Sequence, residues 1–209
     1  MGETLLASQG EMLNGWAPLV IAICENDGGS FNSGLRSAAV LTLCKFMCVS
    51  TSCGESTSPS FCENQLQLLF SVLRSESDCT VRANICVALG DLAVRHPNLM
   101  APWTPRLYKQ LRDADVVVRK TMLMVLTHLI LNGMVRVKGQ ISEMALCLLD
   151  CDPKVVALAN LFFTEFAKKD DAAVYNLLPD MVASLSASTA VESAGAHDLD
   201  RPSQLCAVR

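Results

Sequence analysis

The chain has 209 residues, 51% of them hydrophobic but only 5% aromatic, and carries a formal net charge of −4. The length admits one ordinary domain or about five helix-pair repeats. Aliphatic residues, alanine and methionine carry the apolar load, which favours stacked helices over a β-sandwich, and the acidic balance excludes a nucleic-acid binder defined by global charge.

Residues 1–34 read as a weakly structured N-terminal segment, with one short helix over 16–25 and a loop at Asn26-Asp27-Gly28-Gly29-Ser30. Leu35 to Val49 (LRSAAVLTLCKFMCV) is an amphipathic helix, the second of a first helix pair. Residues 50–60 (STSCGESTSPS) have the Ser/Thr/Gly/Pro composition of an inserted loop, exposed and mobile. The second pair joins Asn64–Arg74 to Val81–Arg95, with Asp78 capping the latter and Pro97 stopping it. In the third, Thr104 followed by Pro105 marks a helix start for Pro105–Arg112, and Val116–Leu131 is closed by Asn132-Gly133. The fourth joins Gln140–Leu149 to Lys154–Lys168, with Pro153 in the first turn. Asn176–Ser186 opens a fifth, and residues 187–209 form a disordered tail.

One phrase recurs through these second helices: DCTVRANICVALGDLAV, DADVVVRKTMLMVLTHLI and CDPKVVALANLFFTEFA. Anchored on Val81, Val118 and Val156, its steps are 37 and 38 residues. A period in the high thirties with helical patterning predicts an all-α, HEAT-type helix-pair solenoid over 35–186, in which each pair buries its apolar face against its neighbours. Arg82 and Arg119 stand just inside their second helices, and Arg36 holds the corresponding place in the first pair. The step from Arg36 to Arg82 is 46 residues, nine more than the next, and the 50–60 insertion accounts for the excess. Arg82 and Arg119 are expected to form a structural ladder with acids of adjacent turns, Asp78, Asp113 and Asp115 being the candidates. Ala157 interrupts the ladder in the fourth pair.

Motifs of catalysis are missing: no phosphate loop, no Gly-x-Ser-x-Gly and no His-Glu-x-x-His. No secretory leader is visible, and no run reaches the roughly 18 apolar residues of a membrane span. The ten cysteines follow no framework, so small reduced thiols of an intracellular protein are expected, with no metal site. The local charge is more informative. Between Arg106 and Lys138 stand seven basic residues against two acids, whereas beyond Lys138 ten acids face five basic residues. Arg106, Lys109 and Arg112 recur every third position of one helix. With Lys120, Arg136 and Lys138 they form a candidate DNA-binding strip that would meet phosphates; the alternative is a solvated polar face.

Five strings carry a resemblance to a known family: Gly90-Asp91-Leu92-Ala93, Pro102-Trp103-Thr104-Pro105, Arg119-Lys120-Thr121, Thr127-His128-Leu129-Ile130-Leu131 and Val137-Lys138-Gly139. From about Leu35 to Ser186 the chain resembles the C-terminal HEAT region of condensin subunit 1, the D2-type non-SMC subunits. The resemblance implies a fragment or truncated form of a much longer subunit. It implies a non-enzymatic scaffold of mitotic chromosome condensation, found in the nucleus and on mitotic chromosomes with a cytoplasmic pool. The implied partners are the kleisin and SMC subunits of condensin, with chromatin or DNA as a further one. Neither a cofactor, a small-molecule substrate nor a membrane is implied. The alternative is a generic HEAT adaptor between proteins, without a DNA role.

Overall fold

A computed structural model of the chain describes residues 15–25, 31–49, 61–135, 141–169, 175–176, 178–179, 181–183 and 186. These form helices α1 (residues 15–25), α2 (Ser33–Val49), α3 (Phe61–Ser75), α4 (Cys79–Arg95) and α5 (Pro97–Met100). There follow α6 (Thr104–Tyr108), α7 (Val116–Leu131), α8 (Ile141–Leu146) and α9 (Pro153–Lys169), with 3₁₀ turns at Ala101–Trp103, Lys109–Arg112 and Cys147–Leu149. The described residues of 175–186 are also helical, and none of the described residues lies in a strand. The fold is all-α, of the helix-pair solenoid class. The inserted loop at 50–60, the tail at 187–209 and residues 1–14 of the N-terminal segment lie outside the described residues.

The chain divides into two compact units, Met1–Leu99 and Met100–Arg209. In the first, α2 packs along α4, and α3 lies against both. Leu43, Met47, Leu66, Leu69, Ile85 and Leu89 are completely buried there. In the second, α7 packs along α9, the 104–112 segment lies against α7, and the Cys147–Leu149 turn lies against α9. Its buried side chains include Tyr108, Val118, Met122, Leu126 and Phe162. Each unit thus contains the contact that a helix-pair repeat needs: second helix stacked on second helix, one repeat apart.

Local chemistry sets the helix ends. Asp115, extended at φ −91° and ψ 131°, accepts the Val117 amide at 2.8 Å and starts α7. Gly133, in the left-handed region at φ 70°, ends it. Its amide donates to Ile130 O at 2.9 Å, and the Met134 amide donates to Leu129 O at 2.9 Å. This is the paired C-terminal closure that favours glycine after the last turn. The Thr104 expectation needs correction. Thr104 does not cap; its hydroxyl donates to Met100 O at 3.2 Å, because the chain is already turning helically from Pro97 onwards.

The register also needs correction. The capping residues Asp78, Asp115 and Asp152 are spaced by 37 and 37 residues. The buried valines that follow are Val81, Val118 and Val155, whereas Val156 is only half-buried. The period is therefore a uniform 37, and Val156, not Ala157, stands where Arg119 stands one repeat earlier. A Val-Val pair cannot be phased by composition alone; the capping aspartate phases it.

Candidate functional site

The turns before α4, α7 and α9 repeat one construction. Its sequence is acid-x-Asp: Glu76-Ser77-Asp78, Asp113-Ala114-Asp115 and Asp150-Cys151-Asp152. The second acid caps the helix: Asp78 accepts the Thr80 amide at 2.8 Å, Asp115 that of Val117 at 2.8 Å, and Asp152 that of Lys154 at 2.7 Å. The first acid braces the turn by accepting the amide two residues on, at 3.2 Å for Glu76 and 2.8 Å for Asp113 and Asp150. The arginine one turn into the helix closes it. Arg82 donates to the Glu76 and Ser77 carbonyls, and Arg119 to those of Asp113 and Ala114, all at 3.0 Å.

The ion pairs differ from those expected and run forward by a repeat. Arg119 pairs with Asp150: Nε to Oδ2 at 2.7 Å and Nη2 to Oδ1 at 3.0 Å, with both side chains at most 4% exposed. Arg36 meets Glu76 at 3.3 Å in the same sense. Asp78 and Asp115 serve as helix caps rather than as carboxylate partners of Arg82 and Arg119. Their side chains are turned onto the first free amides of their own helices, and it is Glu76 and Asp150, each the first acid of its turn, that meet an arginine. Sequence reasoning overlooked Glu76, Asp150 and Asp152, although an acid-x-Asp string at a 37-residue spacing was there to be found.

The basic candidates are placed unequally. Arg106 is exposed and stacks over the Trp103 ring, 4.5 Å from its centroid, a cation–π contact. Lys109 is exposed on the 3₁₀ turn and makes no ion pair among the described residues. Arg112 is held by Glu143 in a two-pronged pair, Nε–Oε2 2.7 Å and Nη2–Oε1 2.9 Å, at the surface. Lys120 is half-buried in the first turns of α7. Arg136 and Lys138 lie outside the described residues.

Thiols and ring groups offer little chemistry. Burial pushes the Cys44 and Cys147 thiols up to about 12 and Cys24 up to about 11, so they hold almost no thiolate at neutral pH. Among the described residues Cys24, Cys44, Cys48, Cys79, Cys86 and Cys147 are free thiols, but Cys151 is disulfide-bonded, which corrects the expectation of uniformly reduced cysteines. His128 is exposed and receives the Asn132 side-chain amide on its carbonyl at 2.8 Å. Asp91 is exposed on α4. Among the described residues, no group of three or more His, Cys, Asp or Glu is placed to hold a metal ion, and no helix is long and apolar enough to cross a membrane.

Fold and geometry therefore define a helix-pair repeat protein whose internal ionic contacts stitch repeat to repeat. Residues 80–199 match the family model of the non-SMC mitotic condensation complex subunit 1, and the chain belongs to that family. It is 48% identical to condensin complex subunit 1 of mouse over 184 residues, which is 88% of this chain and 13% of the relative. Against condensin-1 complex subunit CAP-D2 of Arabidopsis thaliana it is 49% identical over 152 residues, covering 73% of this chain and 10% of that one. The budding-yeast condensin complex subunit 1 is 39% identical over 182 residues, with 87% and 15% covered. The chain thus spans about an eighth of the length of the mouse relative.

Proposed function

We propose that this chain acts as a non-enzymatic scaffold segment of a condensin-type complex in mitotic chromosome condensation. It binds kleisin and SMC partners over its helix-pair surfaces, in the nucleus and on mitotic chromosomes, with a cytoplasmic pool. The observation that carries this reading is the family match over residues 80–199, which takes in all but the first residue of α4 and the whole of α7 and α9. The test is a pull-down of the tagged chain from mitotic extract. Co-purification of SMC and kleisin subunits is expected; recovery no better than an unrelated helical-repeat protein would leave only the generic adaptor.

DNA contact belongs to the same proposal, at Arg106 and Lys109 with Arg136 and Lys138 beyond them. Such binding is weak, sequence-independent and steeply salt-dependent, because phosphate contacts release counterions. Arg112 and Arg119 are poor test positions, since Glu143 and Asp150 hold them and a change would confuse folding with binding. Lys109→Glu with Lys138→Glu should abolish duplex binding in fluorescence anisotropy while helicity is retained. An unchanged affinity and salt slope would make the strip a solvated face.

A further inference from the structure

Resting on the DNA contact proposed above, we propose that Trp103 is a positioning residue of that contact. Its indole ring holds the Arg106 guanidinium ready to meet a backbone phosphate. Arg106 is then the preset anchor of the strip, and Lys109 its adaptable neighbour.

Local backbone builds the pairing. The chain turns helically without a break from Ala101 to Arg112, so residues three apart share a face. Arg106 therefore lies over Trp103, its guanidinium carbon 4.5 Å from the ring centroid, with Lys109 one turn further on. Cation–π contacts occur roughly once per 70–80 residues, so the stack by itself implies no ligand. Its surroundings supply the use. Residues 97–112 hold Arg106, Lys109 and Arg112 and no acid, and α7, against which they pack, holds none either. The acids that follow stand at the Arg112 end. Glu143 is held by Arg112 at 2.7 Å, and the ionised Asp113 and Asp115 lie in the next turn. Asp113 is seven residues beyond Arg106, about 10 Å along a helical path and so about one Debye length away at physiological salt. Positive charge is thus concentrated at the Arg106–Lys109 end.

Arg106 is exposed and Trp103 half-buried. Immobilising an exposed arginine on binding costs conformational entropy, and a guanidinium already resting on a ring has given up part of that freedom beforehand. The stack occupies the face of the guanidinium, whereas its N–H donors lie in the plane and point outward from the edge. A phosphate suits this surface better than an amphipathic peptide does, because no large apolar side chain between Val94 and Val117 is exposed.

The experiment is fluorescence anisotropy of the full chain with a labelled DNA duplex across a salt series, with labelled polyglutamate as a second probe. Trp103→Leu should weaken duplex binding about three- to fivefold, and Trp103→Phe should restore most of it, since a phenyl face also attracts a cation. Arg106→Gln should weaken it by a similar factor and reduce the salt slope by about 0.9, the share of one phosphate contact. In the Arg106→Gln background, Trp103→Leu should then change nothing. A ring that only supports the fold would weaken binding with or without Arg106 and leave the slope alone; that result overturns the proposal. So does full affinity in Trp103→Leu, or polyglutamate bound as tightly as the duplex, which would make this an acidic-peptide surface. Arg106→Lys leaves the ring untouched and decides the matter if circular dichroism shows Trp103→Leu unfolded. It keeps the charge without the planar stack, so about threefold weaker binding is expected and equal affinity overturns the proposal. If Lys109→Glu with Lys138→Glu abolishes duplex binding while the Trp103 and Arg106 variants bind like wild type, the strip stands and this role of Trp103 falls. No duplex binding by wild type removes both.

Discussion

Consider what happens when Asp150 is replaced by alanine. Arg119 keeps its two carbonyl acceptors, Asp113 and Ala114 at 3.0 Å, but loses both carboxylate bonds, at 2.7 and 3.0 Å. The guanidinium is 4% exposed, so water cannot replace the lost acceptor. Breaking a buried pair from one side costs about 3–5 kcal/mol, since the remaining charge is uncompensated. The Asp152 amide also loses its acceptor at 2.8 Å, which adds about 0.5–1.5 kcal/mol. Arg119→Met alone should be comparably harmful, because Asp150 is then the stranded charge. The double variant is diagnostic. With both charges gone, most of each penalty disappears, and the coupling should reach about 2–3 kcal/mol in favour of the pair of changes. Urea unfolding followed by circular dichroism measures all four proteins, with the m-value checking that the transition keeps its cooperativity. Additivity within about 0.3–0.5 kcal/mol, or single changes under about 0.5 kcal/mol, would refute the claim that this rung is a buried, mutually dependent pair.

Other consequences are equally direct. Leu126 is completely buried in α7, so Leu126→Ala should cost about 2–5 kcal/mol in the same unfolding assay. Gly133→Ala should destabilise by about 1–2 kcal/mol through backbone strain alone, because its added methyl would meet no atom within 4 Å; a neutral result would mean that φ 70° is not required there. Burial, helped by Arg95, holds the His96 imidazole below its ordinary 6.5. The unfolded chain therefore takes up a proton that the folded chain resists, and stability should fall as pH drops below about 6.5. His96→Gln should flatten that slope in pH-dependent thermal melts. Cys44 and Cys147 should resist iodoacetamide at neutral pH until urea opens the fold, as mass spectrometry of the alkylated chain would show.

Much of the architecture is local and was therefore legible. Val116–Leu131 ends in the structure where Asn132-Gly133 close it in the sequence, because a left-handed glycine acts through amides within a turn of itself. The helix-pair class followed from periodicity for a related reason: a repeat sees only its neighbours, so one spacing describes every interface. Other features involve distance. Whether Val155 or Val156 points inward depends on which residue caps α9, and the partner of Arg119 lies 31 residues away across a fold of the chain. Asp115 looked the better partner because it is near in sequence, but a carboxylate beside free helix amides is captured by them first. The basic strip shows the same division. Its charges are countable in the sequence, yet only tertiary packing brings Glu143 against Arg112 and leaves Lys109 unpaired among the described residues. Sequence determines which groups are charged and which backbone amides they can reach locally. Packing determines which charges are already neutralised, because that depends on side chains brought together from distant turns.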